Sequence, residues 1–204
     1  MGTTRNEIVE TIISKSNLKQ RVFDKTTASF NLLKETLLEM ASELDDELEG
    51  KLDRRVRLEY RDRGKFEAQL QIAGDMLLFQ MRTDVFFHEK HSYSGMINIY
   101  NFLSDSFKFN RNADEGYLIG RIFIDNEGKF LLEGAITDEE ILFEDNQISR
   151  TTLVAIMEAA IIYAINFDLL APSFEDNRRV KLDQFNSKMD NSKFETGKRL
   201  NMEM

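Results

Sequence analysis

The sequence predicts an α+β domain: an antiparallel sheet of five or six strands over about residues 54–136, packed against two long helices at about 26–49 and 149–171, with arms at both ends. Three observations lead there. Apolar residues recur at helical spacing through residues 30–48, the period changes to two from Arg54 onward, and an apolar block from Ser149 to Ala171 closes the patterned part of the chain. With 204 residues, 42% of them hydrophobic, the chain is long enough to bury a core. Residues 1–172 read as one domain, and 173–204 as a polar arm whose scattered Phe174, Val180, Leu182 and Phe185 have no period.

The first element expected is a short amphipathic helix at 5–15, carrying Ile8, Ile12 and Ile13, which reads as a packing or exchange arm. A stronger helix follows from about Thr26 to Glu49. Asp24 or Thr26 is the candidate cap, Gly50 the stop, and Phe30, Leu33, Leu37, Met40 and Leu44 the stripe. It ends on Glu43, Asp45, Asp46, Glu47 and Glu49, carboxylates that oppose the helix dipole; the arginines just beyond are candidates to compensate them.

From Arg54 to Ile72 apolar and polar residues alternate in two strands turned at Gly64, and Gly74-Asp75 opens a third strand over 76–87. Residues 93–103 read as a fourth strand, with 100–109 able to form a helical turn, and 110–116 as a polar loop. Tyr117–Ile124 and Lys129–Ile136, joined by Asp125-Asn126-Glu127-Gly128, predict a tight hairpin. Gly120 inside its first strand suggests a bulge or a close approach. Residues 137–146 form an acidic link to the last helix, which Asn146 or Ser149 can cap and Pro172 ends. That helix is apolar nearly all round, so it is expected to be buried on more than one side, within the monomer or against a second copy.

A formal charge of −9 argues against broad binding to nucleic acid or anionic membranes. Glu158, Asn166 and Asp168 interrupt the apolar block, which argues against a membrane span. There is no cysteine, so thiolate chemistry is excluded. The N-terminus has no signal-peptide core, and Asn6 departs from the myristoylation pattern that Met1-Gly2 begins; a cytoplasmic location is expected.

No phosphate-cradling glycine loop, nucleophile elbow, dinucleotide fingerprint or zinc spacing occurs, and no catalytic residue, metal or cofactor is assigned. His88 and His91 lie three apart in strand-like sequence, which suits a connection rather than a metal site. Two sets of candidate residues remain. Arg54, Arg55, Arg57, Arg61 and Arg63 form the one clearly basic stretch, a candidate site for an anion or acidic peptide. Arg121, Glu158, Tyr163 and His88 are candidate polar groups of a pocket between the sheet and the last helix. Arg121 itself reads as a snorkelling residue or the partner of a buried carboxylate.

In its order of elements (helix, three strands, a further strand or helix, hairpin, helix) the chain is loosely similar to the small acidic secretion-chaperone fold. The similarity rests on element order alone and assigns no family. It implies an acidic dimer that binds extended polypeptide segments on exposed sheet and helix surfaces. The expectation is thus a non-enzymatic interaction protein of chaperone or adaptor type that self-associates and binds another protein or an acidic peptide. The alternative is a small-molecule-binding protein or enzyme with a pocket between sheet and helix.

Overall fold

A computed structural model describes residues 2–53, 56, 58–88, 92–137 and 147–167. Arg54, Arg55, Arg57, His91, the acidic link and the predicted C-terminal arm lie outside the described residues.

The first quarter of the chain is one unbroken helical rod. Helix α1 (Gly2–Thr11) runs through a five-residue π turn (Ile12–Ser16) into helix α2 (Asn17–Leu48) with right-handed helical backbone at both joints. Two separate helices were expected because Asp24 and Thr26 are capping residue types. Instead the Thr26 hydroxyl donates to the Val22 carbonyl at 2.8 Å, a bond that satisfies it inside a helix. The described part of α2 that is buried follows the expected stripe: Phe30, Leu33 and Leu37 are fully enclosed, and Met40 and Ala41 nearly so. Complete burial of such side chains contributes about 1.5–3 kcal/mol each.

Seven strands follow: β1 (Leu58–Asp62), β2 (Glu67–Ile72), β3 (Asp75–Met81), β4 (Phe86–His88), β5 (Ser92–Leu103), β6 (Tyr117–Ile124) and β7 (Phe130–Gly134). They form an antiparallel sheet in the order β1-β2-β3-β5-β6-β7, with β4 paired to the first residues of β5. The expected third strand is therefore divided, and its end at Val85–Phe87 belongs to a separate hairpin with β5. A short helix α3 (Ser104–Lys108) follows β5, where the sequence allowed strand or helical turn.

The predicted 117–136 hairpin turns on Asp125, whose Oδ1 accepts from the backbone of Glu127 and Lys129, and on Gly128 at φ 86°. Gly120 meets both of its expectations: the β5–β6 register shifts beside it, and a side chain there would run into Ile136. Gly95 on β5 has the same logic, since a Cβ would overlap Thr26 of α2, so the glycine lets helix and sheet close together.

Helix α4 (Arg150–Asn166) is capped by Ser149, whose Oγ accepts from the Thr152 backbone. It packs with α2 on one face of the sheet. Leu153, Ile156, Met157, Ala160, Ile161 and Ala164 join Leu70, Leu77, Phe79, Ile97, Ile99 and Ile122 in a continuous core. Among the described residues nothing covers the outer side of α4, where Ile162 and Ile165 are 59% and 57% exposed.

Candidate functional site

Because side chains alternate across a strand, covering one sheet face with α2 and α4 leaves the other as a distinct surface. Its centre is a row of polar residues that register brings together across the sheet. Glu67 of β2 faces Gln80 of β3, Gln80 faces Asn98 of β5, Asn98 faces Arg121 of β6, and Arg121 faces Glu133 of β7. Arg63 extends the row past β1 through its backbone bond to Glu67 at 3.1 Å. Beside it run Arg61, Gln69 and Tyr100, with Leu78 between them.

The row is partly bonded to itself. Gln80 Nε2 donates to Glu67 Oε1 at 3.2 Å, and Arg63 Nη1 to Gln69 Oε1 at 3.5 Å. Asn98 Nδ2 donates to the Tyr100 hydroxyl at 3.0 Å. Asn98 is only 5% exposed, and its Oδ1 has no partner. Turning the amide over would let Oδ1 accept from the hydroxyl but would strand Nδ2 in its place. One polar atom of Asn98 is thus left unsatisfied, at a cost of about 1–3 kcal/mol. Ser94, farther along β5, also buries an unpaired Oγ.

Of the basic candidates described, Arg61 is committed to Glu59 through Nε at 3.0 Å and Nη2 at 2.7 Å, a two-point pair between residues on the same strand face. That contact with Glu59 raises the Arg61 pKa further. Arg61 therefore does not compensate the acidic helix end, and among the described residues Glu43, Asp45, Asp46, Glu47 and Glu49 have no ion pair; Arg54, Arg55 and Arg57 lie outside them. Strand β1 is instead tied to α2 by Lys34, whose Nζ reaches Asp62 Oδ2 at 2.9 Å and the Gly64 carbonyl at 3.2 Å. The bond from Lys34, with a second from the Gly64 backbone N–H, holds the Asp62 carboxyl below its usual pKa. Burial, with the Asp62 charge nearby, pushes the neighbouring Tyr60 phenol up.

Of the pocket candidates whose side chains are described, Arg121, Glu158 and Tyr163 do not converge. Arg121 is exposed on the sheet face away from α2 and α4 and has no ion pair among the described residues. Glu158 lies on the outer side of α4 with Ile162 and Ile165, while Tyr163 stacks on Phe167 with ring centroids 5.3 Å apart. His88 ends β4, opposite Ser92.

Gln69, Gln80, Asn98 and Tyr100 were not singled out from the sequence. Polar residues at alternate positions of a strand announce only an outward side chain; strand order and register decide which of them become neighbours. Asn98, polar between Ile97 and Ile99, was the signal available. No described helix is long and apolar enough to cross a membrane. No family model matches the chain, and neither a curated protein nor a solved structure matches it.

Proposed function

We propose that the chain is a non-enzymatic interaction protein of chaperone or adaptor type, acting as a homodimer and receiving an extended segment of a partner polypeptide across the polar face of its sheet. The observation that supports this most is the unsatisfied amide atom of Asn98 in the middle of a row of hydrogen-bonding side chains. An extended polypeptide presents N–H and C=O groups at regular spacing, and such groups suit a row of amides, carboxylates and guanidinium groups. Arg121, exposed and without an ion pair among the described residues, selects acidic side chains in the segment. The exposed Ile162 and Ile165 supply the reason for self-association, since adjacent apolar side chains on a helix surface are commonly covered by another chain.

The test is selection of unstructured peptides from a displayed library, with affinity measured by fluorescence anisotropy. Acid-bearing peptides should emerge, and Arg121→Glu should weaken them at least tenfold while circular dichroism stays unchanged. Failure to select any peptide, or equal affinity for the variant, overturns the reading.

A further inference from the structure

We infer that two copies of this chain pair through their N-terminal helical rods, the arm of each lying antiparallel on the acidic end of α2 in the other. The inference rests on the homodimer reading above but assigns the contact to the rods rather than to the exposed isoleucines of α4.

The rod from Gly2 to Leu48 is about 70 Å long at 1.5 Å per residue. Every residue from Thr4 to Asn17 is exposed, including Ile8, Val9, Ile12 and Ile13 at 47–57%. A water-surrounded helix of this length is marginal on its own, and four exposed β-branched residues do nothing for it unless they are covered.

The π turn decides where these residues point. At about 100° per residue, an uninterrupted α-helix would carry the arm's apolar side close to the side of α2 that enters the core. The wider turn at Ile12–Ser16 delays the rotation by roughly a quarter turn. Ile8, Val9, Ile12 and Ile13 then continue the outer side of α2, in line with Leu38, itself 54% exposed, and with Ser42.

Charge supplies the partner. The arm and the start of α2 carry Arg5, Lys15, Lys19 and Arg21 against Glu7 and Glu10, so residues 2–21 are net basic, and none of Arg5, Lys15 and Arg21 has an ion pair among the described residues. The far end of the same outer side carries Asp45, Asp46 and Glu49, exposed, without an ion pair among the described residues and unfavourably placed at a helix C-terminus. A helix with opposite charge at its two ends is complementary to itself when reversed. A two-fold pair satisfies both ends at once, since each contact occurs twice. Antiparallel alignment sets Arg5 beside Asp45, Ile8 beside Ser42 and Ile12 beside Leu38, the first being opposite charges. The apolar contacts provide affinity, and the charges fix direction.

The test uses the full chain and light scattering across a concentration series. Wild type should dimerise, with weaker association at high salt. Arg5→Glu, and separately Asp45→Lys with Asp46→Lys, should each weaken the dimer at least tenfold. An equimolar mixture of the two variants should recover it as a heterodimer, because reversed arm then meets reversed helix end. The chain has no cysteine, so a copy bearing Ile8→Cys mixed with one bearing Ser42→Cys should form a disulfide between chains. A dimer unchanged by both reversals but lost on Ile162→Glu with Ile165→Glu overturns this inference and leaves the homodimer standing on α4. A monomer at every concentration overturns both.

Discussion

The two faces of the sheet are built from the same strands in the same register, yet they have opposite chemistry. On one, Leu70, Leu77, Phe79, Ile97, Ile99 and Ile122 meet α2 and α4 with almost no water. On the other, the row from Arg63 to Glu133 is polar, half-covered by its own neighbours and incompletely bonded. The difference separates stability from recognition: a change on the helix side should be felt as unfolding, and a change on the polar side as altered binding.

The largest effect should follow truncation in the core. Phe79→Ala removes a fully buried ring and should cost about 3–5 kcal/mol in urea denaturation, with peptide binding intact under native conditions. Next is Gly95→Ala, which drives a methyl group into Thr26 and should cost about 1–3 kcal/mol. Adding Thr26→Ala should recover part of that loss, and no recovery would mean that the close approach is not the cause.

Asn98→Leu sharpens the comparison by changing sign. Replacing the unsatisfied amide with an apolar group of the same branching, though bulkier, should leave stability unchanged or raise it by about 1 kcal/mol, while peptide affinity falls. A loss of stability would make Asn98 a structural residue.

The smallest effect belongs to the tie between helix and edge strand. Asp62 has a lowered folded-state pKa, so its contribution is complete above the usual aspartate value of about 4 and is lost as pH falls through the lowered one. Its side chain is half exposed, which limits the contribution to under about 1 kcal/mol. Lys34→Ala should reduce that dependence in acid-denaturation curves, the Gly64 N–H bond keeping the rest, and leave stability at pH 7 lower by no more than the same amount.

What could be read from the chain follows how local its cause is. The hairpin at 117–136 was legible because Asp125 and Gly128 make their turn within five residues. Ser149 was legible as a cap for the same reason. The unbroken rod was not, because whether Thr26 caps a helix or bonds back within one depends on packing around Val22 and Gly95. The apolar content of α4 implied burial on more than one side but could not say what covers the second, and among the described residues Ile162 and Ile165 stay exposed. The candidate site was least legible of all: Glu67, Gln80, Asn98, Arg121 and Glu133 are far apart in sequence and become neighbours only through strand order.

The most direct measurement is an amide chemical-shift titration of the labelled protein with a selected peptide. The account predicts shifts centred on Glu67, Gln80, Asn98, Arg121 and Glu133, with little change along the buried stripe of α2. Shifts confined to α2 and α4, with the polar row unmoved, would contradict it.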